Sequence, residues 1–267
     1  RDVERSRGLG DVYKRQLHAW ARNYQLKDGQ GDRLSLLNNW ENTYFKFDEQ
    51  LLSELMKEAK HLGVDMFLLD DGWFGNKHPR NSDNAGLGDW EVMKSKLPGG
   101  IPALVKSAKE AGVKFGIWIE PEMANTTSEL YEKHPDWILK APNRELVLGR
   151  GGTQVVLDLA NPKVQDFIFG IVDNLMTNYP EIDYIKWDAN MSIMNHGSNY
   201  LSDNDQSHMY IAYHKGFETI CQRIRAKYPE VTIQACASGG GRVNYGLLPY
   251  FDEFWVSDNT DACLLYT

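Results

Sequence analysis

The residues best placed to do chemistry are carboxylates at the ends of short apolar runs. Ile182-Asp183-Tyr184-Ile185-Lys186-Trp187-Asp188-Ala189-Asn190 begins β-branched and aromatic, as a buried strand does, and turns polar where a strand hands over to a loop. Alternation along a strand puts Lys186 and Asp188 on one side and Trp187 on the other. An ammonium two positions before a carboxylate keeps it ionised, which suits a nucleophile or charge stabiliser; the same spacing serves equally as a surface ion pair. Two further acid groups end similar runs: Asp70-Asp71, and Asp258 with Asp261. Asp258 has no neighbouring cation and follows Phe254-Trp255-Val256, so apolar surroundings favouring a protonated carboxyl are expected there. Asp258-Asn259-Thr260-Asp261 is also the pattern of a plain N-cap and turn. Two carboxyl groups facing one bond, one held ionised and one held protonated, are what glycoside hydrolysis requires.

Other chemistries find less support. The run Ser238-Gly239-Gly240-Gly241-Arg242 lacks the Lys-Ser/Thr of a phosphate loop, so its glycines serve a tight turn or a close backbone approach to a ligand. Seven histidines show no H-E-x-x-H or clustered spacing, and no metal or other cofactor is expected. Isolated ones such as His134 and His208 read as helix or surface residues. A net charge of -8 argues against nucleic acid, and no apolar run approaches the ~18 residues of a membrane span. Eight tryptophans and thirteen tyrosines are a high aromatic load, which suits a sugar-binding cleft and equally fills a core.

The elements that must position these residues alternate in type. Strand-like runs at Leu34–Trp40, Val64–Trp73, Val113–Glu122, Val155–Leu159, Ile182–Asn190, Val231–Cys236 and Asp252–Asp258 are separated by helix-period stretches. Those run from Asp48 to Gly63, Ile101 to Ala111, Asn161 to Tyr179 and Gln206 to Tyr228. The pattern predicts α/β architecture built from parallel βα units. Polar residues gather at the carboxyl end of nearly every run, as in a (β/α)8 TIM barrel; an open doubly wound sheet concentrates them at one switch point. Six or seven strands are present, depending on whether Val155–Leu159 joins the barrel. The barrel is therefore expected to be incomplete, its last βα units lying beyond Ala262.

The two ends read differently. Asp11-Val12-Tyr13-Lys14-Arg15-Gln16 can be encoded by GAT GTG TAT AAG AGA CAG, whose reverse complement, read one base on, encodes Cys263-Leu264-Leu265-Tyr266-Thr267. Such an inverted repeat resembles a translated sequencing adapter. Residues 1–16 and 263–267 are accordingly expected to be adapter-like read-through, with 17–262 a single partial catalytic domain. With Cys263 set aside, Cys221 and Cys236 make neither a disulfide framework nor a metal pattern.

Six segments in order resemble the bacterial α-galactosidases of glycoside hydrolase family 36. They are Asn38-Asn39-Trp40-Glu41, Leu69 to Gly75, Trp118-Ile119-Glu120-Pro121-Glu122-Met123, Lys186-Trp187-Asp188-Ala189-Asn190, Cys236 to Arg242, and Trp255 to Ala262. The resemblance implies a retaining enzyme that releases terminal α-linked galactose from oligosaccharides such as melibiose or raffinose. Asp188 would be the nucleophile and Asp258 the acid/base. Asp70 and Asp71 would hold sugar hydroxyls, Trp118, Arg150, Lys186, Asn190, Cys236 and Gly239 would line the galactose pocket, and Trp40 would stand near its mouth. Departures from the family pattern fall at Ala189, where methionine is usual, after Asn190, where no arginine follows, and at Ala237-Ser238 in place of Ser-Gly. They bear on leaving-group preference. The resemblance also implies a cytoplasmic bacterial protein, often tetrameric. Alternatives are an α-N-acetylgalactosaminidase, a galactosyl-transferring relative, or an inert sugar-binding fragment whose truncated barrel leaves a strand edge open.

Overall fold

Chain order in the computed structural model is α1 (Asp2–Tyr24), β1 (Leu36–Asn38), α2 (Trp40–Thr43), α3 (Glu49–His61), β2 (Met66–Leu69), α4 (Gly100–Ala111), β3 (Lys114–Ile119), β4 (Met123–Asn125), α5 (Glu129–Lys133), β5 (Gln154–Val156), α6 (Pro162–Asn178), β6 (Ile182–Trp187), α7 (Met209–Lys227), β7 (Thr232–Ala235) and β8 (Glu253–Phe254). The structure describes residues 2–27, 29, 31 and 33–260, so Asp261, Ala262 and the adapter-like 263–267 lie outside the described residues.

Local chemistry explains where the helices start and stop. Asp48 caps α3 by accepting the Leu51 N–H, and Asn161 caps α6 by accepting the Lys163 N–H, with Pro162 in its first turn. Gly112 ends α4 in the left-handed conformation at φ 79°, which glycine adopts without a Cβ penalty. The stretch predicted from Gln206 divides into a 3-10 turn, Asp203–His208, and α7. Helices α1, α2 and α5 carried no apolar period strong enough to be expected.

Six strands form one parallel sheet in the order β1-β2-β3-β6-β7-β8, six of the eight a (β/α)8 barrel needs. Val155 does not join it. It belongs to β5, which pairs antiparallel with β4 in a separate hairpin, so among the described residues the barrel sheet has six strands. The strand expected to run to Glu122 stops at Ile119, because Pro121 has no N–H to give a ladder.

Alternation then sorts the side chains. Phe67, Leu69, Phe115, Ile117, Ile119, Ile185 and Trp187 point outward into the main core, where they meet Leu52 and Met56 of α3, Ile101 and Leu104 of α4, and the buried faces of α6 and α7. Each such fully buried aliphatic side chain contributes roughly 1.5–3 kcal/mol. Leu36, Met66, Leu68 and Tyr184 point inward and close the bottom of the barrel as a small second cluster. A one-residue register shift between Phe115 and Gly116 keeps Tyr184 on that inner face, and a Cβ on Gly116 would stand 3.0 Å from the Cβ of Tyr184. The sheet curls enough for side chains from its two edges to meet: Thr260 donates to Glu41 at 2.6 Å, and Arg33 lies 3.7 Å from Glu253.

Candidate active site

With the bottom filled by apolar groups, the inner positions nearer the carboxyl ends are polar. Trp118 and Lys186 are register partners on β3 and β6, and Asp188 extends the same inward face one step further. Trp187 lies on the opposite face from Lys186 and Asp188, as alternation requires, and points outward, its indole N–H donating to Glu122 at 2.8 Å. Sequence reasoning paired Lys186 with Asp188; the direct ion pair instead joins Lys186 to Asp70, 2.9 Å away and buried on both sides. Burial alone would pull the Lys186 ammonium down, but Asp70 and Asp188 outweigh it and hold the group above its ordinary value. Asp188 is buried and takes its direct contacts from neutral donors: the Trp118 indole at 3.1 Å, the Ala189 N–H at 2.8 Å and the Cys236 thiol. Its own backbone N–H is fixed by the Ile119 carbonyl at 2.8 Å.

Asp70 and Asp71 are held just as closely. Asn38 donates to the same Asp70 oxygen that Lys186 binds, at 2.5 Å, and the Asp71 N–H caps the other oxygen at 2.9 Å. Arg80, about 1% exposed, grips Asp71 with Nε at 3.0 and 3.2 Å and Nη2 at 2.7 Å. Burial pushes the Asp71 carboxyl above the usual range while Arg80 pulls the other way. Arg80 also donates to Asn125 of β4 at 3.1 Å, which ties the loop after β2 to the hairpin.

Asp258 departs from expectation. It is exposed, Val256 beside it is 70% exposed, and the apolar enclosure inferred from Phe254-Trp255-Val256 does not form. The two-residue β8 ends at Phe254, which leaves Trp255 and Val256 on a loop at the sheet edge, where among the described residues no further strand covers them. What orients Asp258 is the Trp255 indole, donating to Oδ1 at 2.9 Å.

These groups converge on a cavity of about 400 Å³. Of the predicted residues, Trp40, Asp70, Asp71, Trp118, Arg150, Lys186, Asp188, Asn190 and Asp258 all line it. Cys236 and Gly239 stand behind its wall, the first buried against Asp188 and the second with backbone so close to the Asp258 loop that a Cβ would lie 2.9 Å from Ser257 Cα. Asn190 is locked from the side, its Oδ1 accepting both the Ser238 N–H and hydroxyl. Ser238 does this at φ 49°, a strained angle in a position where the resembled family has glycine. Sequence reasoning gave no role to Asn38, Glu41, Tyr44, Trp255 and Thr260, which also line the cavity, nor to Arg80 and Glu120 behind it. Asn38, Glu41, Glu120, Trp255 and Thr260 lie inside the quoted motifs; Arg80 sits in a polar loop with nothing local to mark it. A larger cavity of about 680 Å³ shares Asn190 but is lined by neither Asp188 nor Asp258.

The family model described as Melibiase matches residues 3–265. The chain belongs to the melibiase family. It is 42% identical over 231 residues to α-galactosidase AgaA of Geobacillus stearothermophilus, a match covering 86% of this chain and 31% of that protein. It is 42% identical over 274 residues to probable α-galactosidase C of Aspergillus flavus, covering 99% of this chain and 35% of the relative. The chain thus spans about a third of the length of these relatives. Among solved structures, AgaA, a member of glycoside hydrolase family 36, superposes with TM-score 0.86 at 39% identity over 92% of this chain and 34% of its own. The Lactobacillus brevis α-galactosidase superposes with TM-score 0.84 at 41% identity over 88% of this chain and 31% of its own. Variants of AgaA have been solved with stachyose and with raffinose. Among the described residues of this chain no helix is long and apolar enough to cross a membrane.

Proposed function

We propose that this chain forms the catalytic wall of a retaining α-galactosidase acting on galactosyl oligosaccharides such as melibiose or raffinose. The observation that carries the reading is one small cavity lined by Asp188 and Asp258 together with Asp70, Asp71, Trp118 and Lys186. Asp188 attacks the anomeric carbon while Asp258 protonates the departing oxygen; Asp258 then deprotonates the water that releases galactose. A buried nucleophile with its backbone and both oxygens fixed, and an exposed acid/base able to meet leaving group and water in turn, fit those roles. Asp70 and Asp71 accept from the axial 4-hydroxyl of galactose through their Oδ1 atoms, each of which takes one contact within the protein and keeps lone-pair capacity. Glucose leaves those acceptors unmatched, a mismatch that costs several orders of magnitude where a site is built around a hydroxyl. Arg150, Asn190 and Trp40 bound the sugar, and the polar environment supplied by these residues needs no cofactor.

The test is hydrolysis of an aryl α-galactoside beside the aryl α-glucoside by a chain extended to the length of its relatives. Turnover of the galactoside alone supports pocket and mechanism together. Preference for an α-N-acetylgalactosaminide, or transfer to acceptor sugars outrunning hydrolysis, moves the assignment to those relatives. Binding of galactosides by a folded protein without turnover moves it to a sugar-binding role.

A further inference from the structure

Glu120 follows β3 at the step where Asp188 follows β6. Because Ile119 and Trp187 are register partners on neighbouring parallel strands, the next residues, Glu120 and Asp188, stand side by side on the inner face, about 5 Å apart at the backbone. Glu120 is about 1% exposed, and its Oε1 accepts the backbone N–H of Asn190 at 2.5 Å. One carboxyl therefore touches the turn that carries Asp188 and Asn190 and faces the Asp188 side chain. The neighbouring Glu122 faces away, toward Trp187, Tyr213 and Arg242, and has no such place.

We propose that Glu120 is a positioning residue of this site: its neutral carboxyl fixes the Asp188–Asn190 turn, and its ionisation sets a second negative charge beside Asp188 and shuts cleavage down. The proposal rests on the galactosidase reading for the reaction, though not for the pairing of the two carboxyls. Burial pushes Glu120 up to about 8, and the neighbouring Asp188 adds to that shift. The charged groups facing it from the packed elements are Asp188 from β6 and Arg80 and Asp71 from the loop after β2; Arg80 and the Asn190 N–H oppose the shift, and Asp71 adds to it. Asn190 takes Oε1, so the proton belongs on the other oxygen, and a glutamine at 120 reproduces both the acceptor and the neutral charge.

The experiment uses the protein extended to its relatives' length, an activated aryl galactoside and an Asp258→Ala background, so that ionisation of Asp258 cannot produce the alkaline limb. In that background kcat/KM should fall about tenfold per pH unit above about pH 8, and E120Q should remove this limb. At neutral pH E120A should lower kcat by about 100-fold through misplacement of Asp188, and E120Q by clearly less. Independently of turnover, carbon-13 labelling of glutamate carboxyls should show one resonance, absent in E120Q, that titrates near 8 and moves down in D188N. An unchanged alkaline limb in E120Q, a Glu120 resonance titrating in the ordinary carboxylate range, or no movement in D188N each overturns the proposal. A protein that turns over no galactoside while that resonance titrates near 8 and responds to D188N refutes the substrate reading and supports the pairing.

Discussion

Replacing Arg80 by methionine isolates what the buried guanidinium does for Asp71. The substitution keeps bulk in a nearly sealed position and removes all three contacts to the carboxylate. A bare carboxylate in that place takes up a proton once desolvation costs more than protonation. The penalty is therefore capped at about 1.4 kcal/mol for each unit between an ordinary aspartate near 3.9 and the ambient pH, or about 4 kcal/mol at pH 7 and about 1.5 at pH 5. Burial already raises Asp71 in the wild type, so these are upper values. The lost bond to Asn125 adds roughly 1 kcal/mol at either pH. In the variant the folded-state pKa of Asp71 lies above its unfolded value, so the folded state binds the extra proton. Stability relative to wild type is lost as pH rises from about 4 toward 7 and regained on acidification. At roughly 2–4 °C per kcal/mol for a chain of this size, thermal unfolding should move down about 10–20 °C at pH 7 and about half as far at pH 5. R80M combined with D71N should recover most of the neutral-pH loss, since no charge is then left unpaired. Equal losses at both pH values would show that Arg80 contributes packing alone and refute the charge-pairing argument.

Three shorter predictions concern the cavity. Asp188→Ala should abolish turnover of poor and activated leaving groups alike, while Asp258→Ala should spare activated aryl galactosides more; equal losses at Asp258 for both classes would remove its acid role. Trp118→Phe deletes the indole donor to Asp188, a hydrogen bond to a charged group, and kcat should fall roughly 10–100-fold; a change confined to KM would make Trp118 a sugar platform only. Gly239→Ala forces a Cβ to within 2.9 Å of Ser257 Cα at φ 89°, so the Asp258 loop must shift; kcat should drop, and strain of roughly 1–2 kcal/mol should lower the melting temperature by only a few degrees. Unchanged kcat would mean that the loop adjusts freely.

Much of this was legible in the sequence because it depends on short-range periodicity. Two-residue alternation put Lys186 and Asp188 on one side and Trp187 on the other, and the gathering of acids at strand ends pointed to a barrel mouth. Partners set by the fold were not legible. Lys186 meets Asp70, 116 residues away, because the sheet order sets β2 and β6 on either side of β3 with both side chains facing inward. The Val155 strand has the right composition for a barrel strand, and only pairing distinguishes a hairpin from the main sheet. Asp258 looked enclosed because its neighbours are apolar, yet enclosure depends on where they turn: Phe254 packs toward the core, while Val256 and Asp258 stay exposed at the edge of this sheet. Arg80 gave no signal at all, since a lone arginine in a polar loop reads as solvated until its carboxylate is known.

Asp71, Arg80, Asp83 and Arg150 form a line of alternating sign, with steps of 2.7, 3.3 and 3.4 Å running from the buried floor to the exposed rim. The line sums to zero charge, and each inner member satisfies a neighbour on either side. Loss of any one leaves an odd charge that a second change must neutralise. These four positions should therefore drift through evolution as a coupled set, and attempts to reshape the rim at Arg150 will succeed more often when Asp83 is changed with it.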